Sequence, residues 1–208
     1  MQFSIIISLL LHTGFIILTV MGLPIFNNQK IDFFGMSLSN RLGTAAGLDK
    51  DGDYIDCLGA LGFGFLEVGT VTPLAQFGNP KPRVFRIFKE KAVINRLGFN
   101  NKGVDYLVKR LKNRKYKGIV GVNIGANKNS KDQKRIDDYI ECFRKVYKYS
   151  DYITVNISSP NTPGLRDLHD LDNIKNLILN IENEAKLNNF NRPIFLKISP
   201  DESAIKKI

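Results

Sequence analysis

Cysteine and histidine are scarce in this 208-residue chain, which contains two residues of each type. Two cysteines, Cys57 and Cys142, cannot form a disulfide framework, so we expect a reducing compartment rather than a secreted scaffold. They lack CxxC spacing and have few histidines for company, which argues against zinc and predicts no metal site. Hydrophobic residues make up 43% and charged residues 24% of the chain, a composition that excludes general disorder.

Charge is absent from the N-terminal segment, residues 1–29, so the formal net charge of +10 lies entirely in the remainder. Apolar residues run almost without interruption from Ile5 to Val20, and a bilayer-spanning helix needs roughly 20 of them. No basic residues precede the run and no small-residue cleavage site follows it, which argues against a secretory signal. We favour a membrane-associating helix over a buried helix of a soluble domain, because the basic remainder would suit an anionic lipid surface.

Basic residues cluster between Lys102 and Lys117, a pattern that raises the question of nucleic-acid binding. Val104, Leu107, Val108 and Leu111 lie beneath those charges at helical spacing. An amphipathic helix with a solvated basic face explains both features. No recognition motif accompanies them, so nucleic acid is not expected as a partner.

Apolar runs alternate with helical patterns from Arg41 onward, which predicts parallel βαβ units and an α/β fold. An antiparallel hairpin is expected around Glu90. The predicted strands of the sheet are Leu42–Gly47, Gly62–Thr70, Gly118–Gly125, Tyr152–Ser158 and Pro193–Ser199. A doubly wound sheet and a (β/α)8 barrel both fit. Five strands match a barrel's spacing of about 31 residues per unit, so the barrel would be incomplete, with about five of eight units present.

Polar residues follow the predicted strands, and in parallel α/β folds functional sites lie at the carboxyl ends of the strands. The residues expected to converge are Lys50, Thr70, Asn95, Asn123, Asn156, Ser159, Asn161 and Lys197. They include no carboxylate pair and no histidine, which argues against acid–base hydrolysis and a Ser-His-Asp triad. Asparagines and lysines suit a planar ligand rich in carbonyl and imide groups, such as a flavin or a pyrimidine.

Several long motifs resemble those of one enzyme family. They are LGTAAGLDKDG (42–52), GFGFLEVGTVTP (62–73), NPKPRVFR (79–86), INRLGFNN (94–101), VNIGANK (122–128) and VNISSPNTPGLR (155–166). The chain resembles the dihydroorotate dehydrogenases, flavoenzymes of pyrimidine biosynthesis, from Gly35 to Asp201. Ser159, where the cytosolic class has cysteine, indicates the membrane-associated, quinone-reducing class. The uncharged N-terminal segment agrees with that class.

The resemblance implies a role for each matching residue. Ser159 would be the base that takes the C5 proton of dihydroorotate while a hydride leaves C6 for N5 of FMN. Substrate contacts are implied for Lys50, Asn95, Arg96, Leu97, Gly98, Phe99, Asn156 and Asn161. FMN contacts are implied for Ala46, Gly47, Lys50, Thr70, Asn123, Asn156 and Lys197. Gly47 would let the backbone approach the flavin ring, and Lys197 would lie near its N1/O2 edge.

The resemblance also implies partners and a location. Dihydroorotate would be oxidised to orotate, and electrons would pass to a membrane quinone, ubiquinone or menaquinone. The expected division is a membrane-associating segment (1–29) and the N-terminal part of an FMN-binding barrel (30–208). The expected location is the cytoplasmic face of a bacterial inner membrane, with the mitochondrial inner membrane as the alternative. The family binds the FMN phosphate with later strands, so an inactive, membrane-bound barrel fragment is the alternative function.

Overall fold

The computed structural model describes residues 30–159 and 171–198. The N-terminal segment (1–29) and Asn161 lie outside these residues, so the predictions made for them remain predictions. Within the described residues, no helix combines the length and the apolarity needed to cross a bilayer.

Four parallel strands form the central sheet: β3 (Phe65–Val71), β6 (Ile119–Ile124), β7 (Tyr152–Asn156) and β8 (Ile194–Lys197). They pair in the order β3-β6-β7-β8, which follows the chain. A doubly wound sheet reverses its strand order at a switch point, whereas a barrel adds each new strand to the same edge. The strands that the structure describes show no such reversal, as in the wall of a barrel.

Helices connect these strands and cover one face of the sheet. They are α1 (Ile55–Ala60), α2 (Val104–Asn113), α3 (Asp132–Val146) and α4 (Leu171–Leu187). Val104, Leu107 and Leu111 face the core at helical spacing, as the amphipathic interpretation of the basic segment predicts. The outward-facing aliphatic residues of the strands, such as Val120 and Ile153, join the same buried cluster.

The predicted strand Leu42–Gly47 is wrong as a regular strand, because the segment makes a single isolated bridge, Gly43 to Phe65. The segment does run alongside β3, since Gly64 N donates to Leu42 O (2.8 Å) and Gly47 N donates to Gly69 O (2.7 Å). Between these points the Thr44 hydroxyl accepts the hydrogen bond from Glu67 N (3.0 Å). A side chain therefore replaces a backbone rung, and no continuous ladder forms.

Two antiparallel hairpins lie outside the central sheet. The first joins β1 (Ile31–Phe33) to β2 (Met36–Leu38), and its buried side chains pack on Tyr152 near the amino ends of the strands. The second joins β4 (Val84–Ile87) to β5 (Ala92–Asn95) and confirms the hairpin predicted around Glu90. All eight strand residues of this second hairpin are exposed.

Candidate functional site

A polar cluster of three side chains, Thr70, Asn123 and Asn156, forms at the carboxyl edge of the sheet. The Thr70 hydroxyl donates to Asn123 Oδ1 at 2.6 Å. The Asn156 amide donates to Thr70 Oγ1 at 2.9 Å and to Asn123 Oδ1 at 3.2 Å. All three residues are buried. The structure therefore brings together three of the residues that the sequence predicted to converge.

Strand register explains why the polar cluster forms there. Asn123 stands opposite Gly69 on one side and Thr154 on the other, and Asn156 stands opposite Lys197. Successive side chains of a strand point to opposite faces, so aliphatic residues enter the helical layer while their neighbours face the inside of the wall. Asn123 and Asn156 are thus inward residues placed diagonally on β6 and β7, and the register shift between Gly69 and Val71 lets the Thr70 side chain join them.

Lys197 reaches the polar cluster through Ser158. Asn156 Oδ1 accepts hydrogen bonds from Ser158 N (3.0 Å) and Ser158 Oγ (2.8 Å). Lys197 Nζ donates to Ser158 Oγ at 2.6 Å. Ser159, the predicted base, follows directly and is half-buried. The turn after β7 is thus fixed by the same amide that closes the polar cluster.

The segment that precedes α1 borders this edge and carries Gly47 and Lys50. Gly69 N donates to Asp49 O (3.0 Å), which ties the segment to the end of β3. Gly47 has φ +107°, and a Cβ added there would meet nothing within 4 Å, so a flat ligand could approach its backbone closely. Burial is the main cause that lowers the pKa of the Lys50 ammonium; the Asp51 carboxylate raises it, and the Arg83 guanidinium lowers it by less. A half-buried ammonium is stabilised by an anionic ligand.

The predicted substrate loop, Asn95 to Phe99, is split between two environments. Gly98 and Phe99 are buried, and the Phe99 ring approaches Gly125 at the carboxyl edge of β6. Asn95 and Arg96 are exposed at the end of β5, and the Arg96 guanidinium donates to Pro82 O. In the part of the chain that the structure describes, no hydrogen bond joins either residue to the polar cluster. The structure therefore places Asn95 on the exposed hairpin, and its predicted contact with the substrate stays a prediction.

Two amides outside the predicted set hold the buried half of this loop. Gln76 Nε2 donates to Gly98 O (3.3 Å) and Phe99 O (3.0 Å), while Gln76 Oε1 accepts from Asn127 Nδ2 (3.0 Å). Asn101 Nδ2 donates to Phe99 O at 2.7 Å and to Thr72 Oγ1 at 2.8 Å. Sequence reasoning missed these residues because an isolated amide in a loop resembles an ordinary turn residue.

A third missed residue, Glu67, did leave a signal in the sequence. It is the single charge within β3 and faces the inside of the wall. Its carboxylate accepts hydrogen bonds from Asn123 Nδ2 (2.8 Å), Tyr152 OH (3.1 Å) and Thr154 Oγ1 (3.1 Å). A carboxylate in the middle of an apolar strand is rarely placed without partners. The motif FLEVGT therefore marked an internal polar contact.

A cavity of about 770 Å³ opens on the inner face of the sheet. Its lining is mostly aromatic and aliphatic, and its polar residues include Thr44, Glu67, Thr154 and Lys197. Apolar walls with a few directed polar groups are typical of ligand sites, and Lys197 links this cavity to the polar cluster through Ser158. Among the described residues, no group of three His, Cys, Asp or Glu side chains could hold a metal ion.

Comparison with known proteins finds a family model and relatives that carry the same family name. Residues 29–208 match the family model described as dihydroorotate dehydrogenase. A relative from Saccharophagus degradans, named dihydroorotate dehydrogenase (quinone), is 53% identical over 180 residues, covering 85% of this chain and 53% of its own length. The protein of the same name from Buchnera aphidicola is 51% identical, covering 84% and 53% respectively. The chain thus spans about half the length of the curated relatives it matches.

Solved structures agree with the fold. The crystal structure described as DHODH in complex with ferulenol, from Eimeria tenella, superposes with a TM-score of 0.77 at 33% identity. The match covers 94% of this chain and 60% of the Eimeria chain. These structural neighbours and the sequential parallel sheet indicate an α/β fold of the TIM-barrel type. On the family model and the close relatives together, this chain belongs to the dihydroorotate dehydrogenase family.

Proposed function

We propose that the protein oxidises dihydroorotate to orotate through FMN and passes the electrons to a membrane quinone, in pyrimidine biosynthesis. The observation that carries the proposal is the polar cluster at the carboxyl edge of the sheet, immediately beside the Ser158–Ser159 turn. The names of the bacterial relatives, which specify a quinone, support the choice of acceptor.

FMN is the proposed cofactor, and the residues present fit it. Ala46 and the open backbone at Gly47 would border the flavin ring, while the amides and hydroxyl of the polar cluster match a ring edge with both donors and acceptors. Lys197 is poised at the same edge to stabilise negative charge. When bound, FMN supplies the redox chemistry, accepting two electrons from the substrate and releasing them to quinone.

The substrate is proposed to lie between this edge and the loop that ends at Phe99. Lys50 would hold its carboxylate, because a half-buried ammonium is stabilised by an anion. Asn156, Asn161 and the loop from Asn95 to Phe99 would contact the ring carbonyls and amides. Ser159 Oγ would take the C5 proton. A serine is a weak base, so the surrounding donors must lower the barrier to proton transfer.

The N-terminal segment (1–29) is proposed to associate with the membrane and to give quinone access. Its lack of charge and its apolar run support this, as does the basic remainder of the chain. Relatives from bacteria support the cytoplasmic face of a bacterial inner membrane as the location. Deletion of this segment should abolish quinone reduction and membrane sedimentation while leaving flavin reduction by dihydroorotate intact. Retention of both would identify the segment as a core helix.

The central experiment is anaerobic mixing of the FMN-loaded chain with dihydroorotate, with bleaching of the flavin absorbance as the signal. Ser159→Ala should slow bleaching by about 100-fold or more without changing FMN affinity, because only the proton acceptor is removed. Ser159→Cys should retain some activity, since a thiol serves in the cytosolic class. Ser37→Ala, an exposed serine of β2, is the matched control and should bleach at the wild-type rate.

Two results would contradict the proposal. Undiminished bleaching in Ser159→Ala would remove Ser159 from the mechanism. A chain that takes up FMN and is not bleached by dihydroorotate would contradict the proposed substrate.

A further inference from the structure

The Glu67 carboxylate lies one level below the polar cluster, on the inner face of β3. Its two oxygens receive three hydrogen bonds, from Asn123 Nδ2 at Oε1 and from Tyr152 OH and Thr154 Oγ1 at Oε2. An ionised carboxylate only accepts hydrogen bonds. Any group that contacts it must therefore present a donor.

Because Glu67 only accepts, its contact with Asn123 fixes the donor–acceptor direction of the hydrogen bonds in the polar cluster. Asn123 turns its NH₂ group toward Glu67, so its Oδ1 faces Thr70 Oγ1 and Asn156 Nδ2 and accepts from both. The Asn156 amide nitrogen is thereby committed to the cluster, and its Oδ1 turns to Ser158.

The far end of this chain of bonds is also fixed. Lys197, a pure donor, contacts the Ser158 hydroxyl at 2.6 Å. The bonds thus run in one sense from a donor-only ammonium to an acceptor-only carboxylate. Flipping the side-chain amide of Asn123 or Asn156 would place donor against donor at one end of the amide and acceptor against acceptor at the other.

The glycine at position 121 leaves room for the contact between Tyr152 and the Glu67 carboxylate. Gly121 stands in register between Glu67 on β3 and Tyr152 on β7. A Cβ on Gly121 would lie 2.0 Å from the Tyr152 ring, so glycine is needed for that ring to cross the strand and bring its hydroxyl to Glu67. Burial, together with the nearby carboxylate, raises the pKa of Tyr152, which keeps the hydroxyl protonated as a donor.

We propose that Glu67 is a positioning residue for the flavin. It fixes the orientation of the Asn123 and Asn156 side-chain amides and so determines which amide atoms contact the ligand. The proposal rests on the proposed function, because it takes the polar cluster to be an FMN contact. Glu67 itself acts through Asn123 rather than on the reacting atoms. Flavin recognition should therefore depend on an acceptor at position 67 more than on its charge.

The test compares three variants of the full chain by FMN titration and by the shape of the bound flavin absorption spectrum. Glu67→Leu should weaken FMN binding about tenfold and alter the spectrum, since loss of one charge-assisted bond releases the amide orientation. Glu67→Gln should bind within about threefold of wild type, because Oε1 still accepts from Asn123 and both hydroxyls can accept from Nε2. Glu184→Leu is the control, because it removes an α4 carboxylate that accepts hydrogen bonds from Arg144 on α3 and from Asn188, and that does not line the 770 Å³ cavity.

The outcomes separate this inference from the proposed function. A wild-type chain that binds no FMN overturns both. A wild-type chain that binds FMN, with Glu67→Leu equal to it in affinity and spectrum, overturns the inference alone. A loss in Glu67→Gln as large as in Glu67→Leu also overturns it, because charge rather than orientation would then matter.

A further variant applies if Glu67→Leu does not fold. The double change Tyr152→Phe and Thr154→Val keeps the carboxylate and removes both donors to Oε2. FMN binding should then weaken about threefold, because the carboxylate holds Asn123 less firmly. Unchanged affinity in the double variant overturns the inference.

Discussion

The polar cluster and the β4–β5 hairpin both contain predicted site residues, yet they are built in opposite ways. Thr70, Asn123 and Asn156 are at most 5% exposed, and each bonds to the other two. The hairpin places all eight of its strand residues in contact with solvent, Asn95 included. The cluster residues are thus held by one another, whereas the hairpin strand residues face solvent.

The physical difference is the number of neighbours that each backbone has. The strands of the cluster are paired in a parallel sheet and covered by helices, so their side chains have fixed surroundings. Among the described residues, the hairpin strands pair only with each other, and a two-stranded ribbon alone is marginal in water. A ligand should therefore find the cluster in place and organise the hairpin side as it binds.

The largest expected effect is on stability. Asn123→Leu should lower the free energy of unfolding by about 3 kcal/mol, because it leaves Thr70, Asn156 and Glu67 with unmet bonds in a buried site. Asn95→Leu, the same change in the hairpin, should cost less than about 0.5 kcal/mol. Urea unfolding of the two variants measures this difference in the free energy of unfolding directly. Equal losses would mean that the hairpin is as tightly integrated as the sheet.

Gln76→Glu should separate substrate binding from cofactor binding. A carboxylate there would face the Gly98 and Phe99 carbonyls without a donor, so the buried half of the substrate loop should loosen. We expect about tenfold weaker orotate binding with FMN affinity unchanged, measured by titration of the flavin-loaded chain. Gln133→Glu, an exposed change on α3, is the control. A parallel loss of FMN would show that loop and cluster form one unit.

The pH dependence of orotate binding should report Lys50. Its pKa is lowered from the ordinary 10.5, first by burial, so the ammonium loses its proton at lower pH than a free lysine does. Orotate affinity should therefore be retained at neutral pH and fall as pH rises through that lowered pKa. Lys50→Arg should move the fall to higher pH, because a guanidinium stays protonated. An identical profile in both proteins would exclude Lys50 as the anion contact.

The smallest effect in this series is expected for the ion pair between Arg144 on α3 and Glu184 on α4, which lies outside both the polar cluster and the hairpin. The Arg144 hydrogen bond lowers the pKa of Glu184 below its ordinary 4.5. The stabilisation is then fully present above pH 4.5 and is lost as pH falls through the lowered value. Since Arg144 is largely exposed, we expect at most about 1 kcal/mol. Glu184→Gln should remove this part of the acid sensitivity in thermal unfolding between pH 5 and 3, roughly the range where carboxylates titrate.

Much of the framework could be predicted from the sequence. The apolar runs at β3, β6, β7 and β8 predicted parallel strands, and the spacing of Val104, Leu107 and Leu111 predicted α2. These signals are local, because burial on one or both faces imposes a period on the residues themselves. The polar residues at strand ends were likewise visible, and three of them meet as expected.

Tertiary structure decided what local pattern could not. Leu42–Gly47 resembled a strand, but the Thr44 hydroxyl interrupts its pairing with β3. Asn95 ends β5 much as Asn123 lies next to the end of β6, yet in the part of the chain that the structure describes β5 pairs only with β4, in an exposed hairpin. The position of an amide in a motif does not reveal which neighbours surround it.

Sequence by itself therefore determined the α/β class, the strand-end polar residues and the family to which the chain belongs. Only the tertiary structure decided that Glu67 directs the amides above it and that Gln76 and Asn101 hold the Phe99 loop. The reason is that, apart from the local bond between Asn101 and Phe99, these contacts join residues 22 to 87 positions apart. A hydrogen bond between distant residues depends on strand order and register, which no local pattern records.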